Sequence, residues 1–336
     1  MIVLTVSFDY LKRTRTMFKY RALTWVLLGQ VLAITANPAT AVELKVMSYN
    51  ILWGGVSEQH TLEQTAAVIT IAGADIVGIQ ERKAYDDGWR NGVGEDTVNK
   101  LADMLGWHRI EQNVNPDLHG SNHNDVAIIS RYPAQKELPW GLGAVIDVKG
   151  EDIAIVNLHL FAAPYQPFQL LNIDYGGFPF IKTESEAIRW ADHTRGKTLD
   201  VLESVLSHLG DVPVVVTGDF NEPSHLDWTA AAASAGLHPI KVEWPSTRRL
   251  TDLGFVDTYR QIYPDEVARP GVTWTTTTSP DDSKDHHDRI DFVLVRGENV
   301  KIIDAAIVGE RKEYADIVAA PYPSDHRAII ATLVVN

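Results

Sequence analysis

The stretch that decides the reading is DVPVVVTGDFNEPSHLDW, residues 211–228. Pro213 opens a run of Val214, Val215, Val216 and Thr217, continuous enough in apolar and β-branched residues for a strand buried on both faces. Gly218 ends the run. Asp219 and Asn221 then leave the strand tip two residues apart, and so on one face, while Phe220 points to the other and into the core. A carboxylate can take a proton from water beside a carboxamide that orients the water or donates to an anion. Taken alone, GDxN reads equally well as a strand followed by an Asx turn. The rest of the chain decides between them.

The same grammar recurs. Residues 44–49 predict a strand ending at Asn50 before Trp53, Gly54 and Gly55, and residues 75–80 predict another with Glu81 at its tip. Residues 153–158 end on His159; residues 289–295 form a strand with Asp291 near its start. Asp325 and His326 precede a closing strand over residues 328–335. Each has a bland counterpart: Glu81 as a solvated strand end paired with Arg82, His159 as a half-buried histidine. Six strands ending in Asn, Glu, His or Asp make coincidence a poor explanation.

Between these tips the periodicity predicts helices over residues 61–72, stopped by Gly73, over 97–105, delivering Trp107 to the core, and over 183–209. Ser224 or Asp227 is placed to cap a short helix that Gly236 ends, and residues 255–263 look helical. Further strands are expected over 125–130, 144–148 and 273–278. Residues 113–124, with His119, His123 and Asn124, read as a surface loop, and the aromatic segment 165–180 as a long loop over a pocket. His286, His287 and Asp288 suggest zinc, but adjacent histidines point apart on a strand; their reading is to line the pocket mouth beside Asp291.

The 336 residues carry a formal charge of −14 and no cysteine. Thiolate metal sites and disulfides are excluded, so any metal is held by Asp, Glu, Asn and His, which favours Mg²⁺, Mn²⁺ or Ca²⁺. A basic segment from Lys12 to Arg21, an apolar run over 23–35 and the small residues Ala39-Thr40-Ala41 form a secretory signal with cleavage after Ala41. The apolar run is short for a membrane span, so no permanent anchor is expected. Residues 42–336 then hold 25 basic against 43 acidic side chains, a charge of −18 that repels polyanions at long range. No linker or repeat divides them, and one domain is expected, secreted or periplasmic.

The ordered set MSYNILWGG, DIVGIQE, DVAIISRYP, VNLHL, VTGDFNEPSHLDW, DRIDFVLV and PSDHRAI resembles the endonuclease/exonuclease/phosphatase superfamily of metal-dependent phosphoesterases, in a secreted microbial branch. The resemblance implies an α/β fold, a DNase I-like four-layer sandwich of two packed mixed β-sheets flanked by helices. It implies Glu81 as the principal divalent-metal ligand, helped by Asn50 and Asp325, with Mg²⁺ as cofactor and Mn²⁺ or Ca²⁺ as substitutes. Asp219 would deprotonate the attacking water beside Asn221. His326, oriented by Asp291, would bond the phosphoryl oxygens, and His159 the phosphate or leaving oxygen. Family members give the equivalent of His159 an acidic partner; here Asp125 is the candidate. The expected activity is hydrolysis of small or lipid-derived phosphoesters by a monomer. The alternatives are a secreted nuclease, disfavoured by the acidic chain, and a noncatalytic phosphate- or sugar-binding protein on the same scaffold.

Overall fold

The computed structural model describes residues 41–56, 59–84, 94–113 and 125–336. Residues 1–40 of the expected leader, and His119, His123 and Asn124, lie outside the described residues.

Thirteen strands build two mixed sheets. In the first, β12 (Ile317–Val318), β11 (Val300–Gly309), β13 (Ala328–Val335), β1 (Val42–Asn50), β2 (Ile76–Gln80), β4 (Val126–Ser130) and β3 (His108–Ile110) lie side by side in that order. The second runs β9 (Val256–Asp257), β10 (Asp291–Arg296), β8 (Val214–Asp219), β7 (Glu151–His159), β6 (Gly143–Val148), β5 (Ala134–Glu137). Val42, Leu44, Val46 and Ile76 of the first sheet meet Ile153, Ile155, Val215 and Val293 of the second in one buried cluster. The alternate residues Met47, Tyr49, Val77 and Ile79 face outward onto helices α1 (Leu62–Ala72) and α2 (Val98–Leu105). On the far side, Val156, Val214 and Val216 pack beneath Leu199, Leu202 and Val205 of helix α4 (Glu184–Ser207). Four layers, helix, sheet, sheet and helix, result.

The two-residue period of a strand makes each inward-facing row a gradient. Along β1 it runs Val46, Ser48, Asn50; along β7, Ile155, Asn157, His159; along β8, Val215, Thr217, Asp219. Greasy packing thus gives way to a neutral polar layer and then to the ionisable tips. Asn157 is the centre of the polar layer. Its Nδ2 donates across the gap to the backbone oxygens of Ile79 and Ala127 at 2.9 and 3.1 Å, and its Oδ1 accepts from Gln80 Nε2 at 2.7 Å and Thr217 Oγ1 at 3.1 Å. Gly78 sits under this layer because a Cβ there would lie 2.1 Å from Thr217 Oγ1.

Several expectations need correcting. Residues 273–278 are not a strand; Trp274 makes only isolated bridges to Asp288 and His326. Trp107 is half-buried at the rim of the outer cluster, beneath the Arg131 guanidinium at 4.8 Å, rather than in the core. The 165–180 loop contains helix α3 (Gln166–Leu171), whose Phe168 and Leu170 are buried. The expected helix over 255–263 divides into β9 and a short helix, Thr258–Ile262, capped by Asp257 Oδ1. Thr229, not Ser224 or Asp227, caps the helix Ala230–Ser234, because Asp227 is held by Arg260 and Arg289. Strands β3, β5, β11 and β12 and the helix Pro245–Asp252 are additions to the sequence reading. The N-terminal half of β11 is largely exposed and shifts register at Ile302/Asp304, which blurs its alternation.

Replacing Asn157 by Leu removes its hydrogen bonds with Gln80, Thr217 and two backbone carbonyls. We expect a loss of about 3 kcal/mol of unfolding free energy, read as a lower urea midpoint at unchanged slope.

Candidate active site

The second sheet brings three ionisable residues level. Asp219, at the end of β8, is the register partner of His159 on parallel β7 and of Asp291 on antiparallel β10. In the first sheet Asn50 is level with Gln80, so Glu81 stands one residue beyond the hydrogen-bonded ladder. The chain after Asn50 curls tightly: Leu52, Trp53, Gly54 and Gly55 all have positive φ, as does Glu81 at 57°. This turn delivers the Trp53 amide to Glu81 Oε2 at 3.2 Å. Gly54 is obligatory in it, since a Cβ would come 2.6 Å from the Ala84 nitrogen.

Asp219 Oδ2 is the point of convergence. It accepts from Asn50 Nδ2 at 3.0 Å and lies 3.5 Å from His159 Nε2 and 3.7 Å from His326 Nε2. Its other oxygen accepts from the Asn221 amide at 2.8 Å. His326 is held from behind by Asp291 Oδ2, 2.9 Å from its Nδ1. The Ser324 hydroxyl donates to the Asn50 carbonyl at 2.7 Å, tying the His326 loop to the tip of β1. Burial alone would lower the pKa of His326, but the charges of Asp291, Asp219 and Asp325 outweigh it and hold the imidazole well above its ordinary range. His159 behaves likewise. Burial opposes its charge, yet its hydrogen bond with Asp125 and the charge of Asp219 push it up to about 9. Asp125 Oδ2 lies 3.5 Å from His159 Nδ1, which places that candidate partner behind the ring.

All eight sequence-predicted site residues therefore stand at the two sets of strand tips, with individual orientations that sequence could not supply. Asn50 turns its Nδ2 to Glu81 Oε1 and Asp219, while its Oδ1 accepts from the Leu52 amide; ligation through that oxygen requires a half-turn of the amide. Asn221, with φ of 49°, donates its Nδ2 to the Leu160 carbonyl. Its own carbonyl is gripped by Arg195 at 2.6 Å. Arg195 is fully buried on α4 with Glu222 and Gln166, a network sequence reasoning missed because one arginine on a helical face carries no signal of what it meets. Trp274 is also new. Its Nε1 reaches Asp325 Oδ2 at 3.4 Å.

These residues fit a divalent cation. Five carboxylates, from Glu81, Asp125, Asp219, Asp291 and Asp325, face two imidazoles, and among the described residues no Lys or Arg forms an ion pair with any of them. Burial raises the pKa of Glu81, His159 lowers it in part, and Asp325 and Asp125 add repulsion. Asp325 Oδ1 is buried with no hydrogen-bond partner. Asp219, Asp291 and His326 also converge within 4.8 Å, but His326 already supplies the positive charge there. The unneutralised acids are Glu81 and Asp325.

With this geometry in place, comparison with known proteins is direct. The sequence model of the Endonuclease/Exonuclease/phosphatase family matches residues 47–326. The chain belongs to that family. Family members are phosphoester-hydrolysing, divalent-metal-dependent enzymes, and this chain is a hydrolase of that class. An uncharacterized protein of Caenorhabditis elegans is 27% identical over 307 residues, 87% of this chain and 92% of that protein. Among solved structures, an endonuclease/exonuclease/phosphatase from Beutenbergia cavernae superposes with a TM-score of 0.51 at 17% identity, over 88% of this chain and 72% of that one. A Neisseria 3′ phosphatase bound to a product DNA hairpin gives 0.51 at 20%, over 86% and 98%. At these identities the structures establish the fold of the family member and nothing of its substrate.

The elevated pKa of His159 has a signed consequence. Its imidazolium stabilises the fold fully below its unperturbed value of 6.5 and progressively less as pH rises to about 9. An NMR titration of the metal-free protein should show the His159 ring titrating near pH 9, and Asp125→Asn should move that midpoint down.

Proposed function

We propose that the chain is an exported phosphoesterase that hydrolyses small or lipid-derived phosphoesters by direct attack of water. The convergence of Asn50 and two imidazoles on Asp219 Oδ2 carries this reading. Asp219 accepts a proton as water attacks phosphorus, and Asn221 holds the adjoining backbone in place through its bond to the Asp219 carboxylate. Protonated His326, backed by Asp291, donates to a phosphoryl oxygen as negative charge grows. His159, kept protonated by Asp125, gives its proton to the departing oxygen, so the broken P–O bond leaves an alcohol and the new one a phosphate. Glu81, Asp325 and, after rotation of its amide, Asn50 would hold the cation. When bound, the cation neutralises charge on the phosphoryl group.

The substrate class follows from charge and rim. A chain of −18 after the leader repels long polyanions. The segment beyond His159 exposes Phe161 at 44%, Tyr175 at 40% and Phe180 at 49%, apolar side chains suited to the nonpolar part of a small phosphoester. A nuclease is the second reading, favoured by the Neisseria phosphatase that carries product DNA on the same fold. Export rests on the basic, apolar and small-residue succession that ends at Ala41, and a secreted microbial branch on the PSHLDW, PGVTW and HHDRIDF segments.

Bis(p-nitrophenyl) phosphate should be hydrolysed with Mg²⁺, with turnover lost in excess EDTA and restored by metal. Asp219→Ala should lower kcat by about 10² to 10⁴-fold with an unchanged circular dichroism spectrum; full activity in that variant would remove the mechanism. Nicking of supercoiled plasmid that exceeds turnover of small esters and fades with salt would favour the nuclease reading. N-terminal sequencing of protein recovered from the periplasm or medium should begin at Val42.

A further inference from the structure

A cavity of about 820 Å³ opens beside the catalytic cluster, and none of His159, Asp219, Asp291 or His326 lines it. Its charged walls are mostly committed to each other: Arg289 to Asp227 and Asp257, Arg260 to Asp227, Arg327 to Glu310. Three lining residues are arranged differently. His238 Nδ1 lies 3.1 Å from His286 Nε2, and both nitrogens approach Asp288 Oδ1, at 4.0 and 3.7 Å. Two ligand atoms on a tetrahedral ion with bonds of about 2.0–2.1 Å sit about 3.3 Å apart. The edge between the two histidines is close to that spacing, and the two edges to Asp288 Oδ1 would shorten by a few tenths of an ångström on binding.

We propose that His238, His286 and Asp288 form a second metal site, separate from the Glu81 acids and selective for Zn²⁺ or a similar nitrogen-preferring divalent ion. Two imidazole nitrogens and one carboxylate oxygen suit such an ion and not Mg²⁺, which takes oxygen ligands. The ligands are also braced as metal ligands are. Asp288 Oδ1 accepts from Trp228 Nε1 at 2.8 Å and Oδ2 from the Tyr165 hydroxyl at 2.7 Å, while the His238 ring stacks on Trp228 at 4.3 Å with 13° between planes. Three protein ligands leave a coordination position on the cavity side. His287, which sequence reading grouped with His286 and Asp288, turns away to Thr278 Oγ1 at 2.8 Å; His238, 48 residues upstream of His286, takes its place.

The site has a structural task. An ion there clamps the turn at His238 to the segment ending in Asp288. Asp288 exchanges backbone hydrogen bonds of 3.0 and 2.9 Å with Trp274, the residue whose indole reaches Asp325. Occupancy therefore stiffens a wall of the active site without supplying a reacting group.

The test uses the full chain, stripped with EDTA and dialysed against micromolar Zn²⁺ in millimolar Mg²⁺, the Mg²⁺ occupying the oxygen-rich site. We expect one Zn²⁺ retained per chain. His286→Ala should weaken it by at least about tenfold, and Glu81→Gln should leave it unchanged. In a Zn²⁺-soaked crystal of the unaltered protein, anomalous density should lie between His238 Nδ1, His286 Nε2 and Asp288 Oδ1, which decides the matter if His286→Ala does not fold. No retained Zn²⁺, retention undiminished in a folded His286→Ala, or density only at other residues would overturn the site and leave a hydrogen-bonded histidine pair. None of these readouts depends on phosphoesterase activity.

Discussion

The carboxamide of Asn157 joins the two sheets where hydrophobic packing stops, and the active site depends on that junction. Two sheets meeting only through valine and isoleucine side chains could slide with little penalty, because dispersion and burial are non-directional. Hydrogen bonds from Asn157 to the Ile79 and Ala127 carbonyls and from Gln80 and Thr217 to Asn157 are directional. They set the height of β7 against β2 and β4. The strand tips one step further, Asn50 and Glu81 on one sheet and His159 and Asp219 on the other, then stand opposite each other rather than merely near.

Above that polar layer the electrostatics run against stability. Five carboxylates face only two imidazoles in this buried cluster: burial first, and then the charges of Asp325 and Asp125, raise the pKa of Glu81, while that of His159, against its own burial, is raised by the Asp125 hydrogen bond and the charge of Asp219. A divalent cation held there would relieve the repulsion. Structural support is recruited from outside the pocket: buried Arg195, held by Glu222 and Gln166, fixes the carbonyl of Asn221 in its left-handed conformation. The cavity beyond Trp274 is managed by the opposite device, with arginines and carboxylates neutralising one another in pairs.

Most of the candidate site was legible in the sequence, because a strand that must be apolar for its length announces the residue that breaks the pattern at its end. Asp219, His159 and Glu81 stand out for that reason. Elements without such a pattern were less visible. The N-terminal half of β11 is largely exposed, the helix Pro245–Asp252 has a polar, arginine-rich composition, and α3 lies in an aromatic segment that lacks periodicity. Trp107 and residues 273–278 were misjudged because large apolar and threonine-rich stretches state a preference for burial or extension, not a location.

By itself, the amino-acid sequence determined the strands that carry the polar tips, the absence of thiolate chemistry and the family to which the chain belongs. Tertiary structure alone decided which tips converge on one oxygen of Asp219, that Asp125 backs His159, that Arg195 holds Asn221, and that His238 rather than His287 meets His286. The reason is one of range. Periodicity and turn chemistry act over a few residues and are written locally, whereas a side chain's partner tens of residues away is chosen by register and by the packing of sheets and loops.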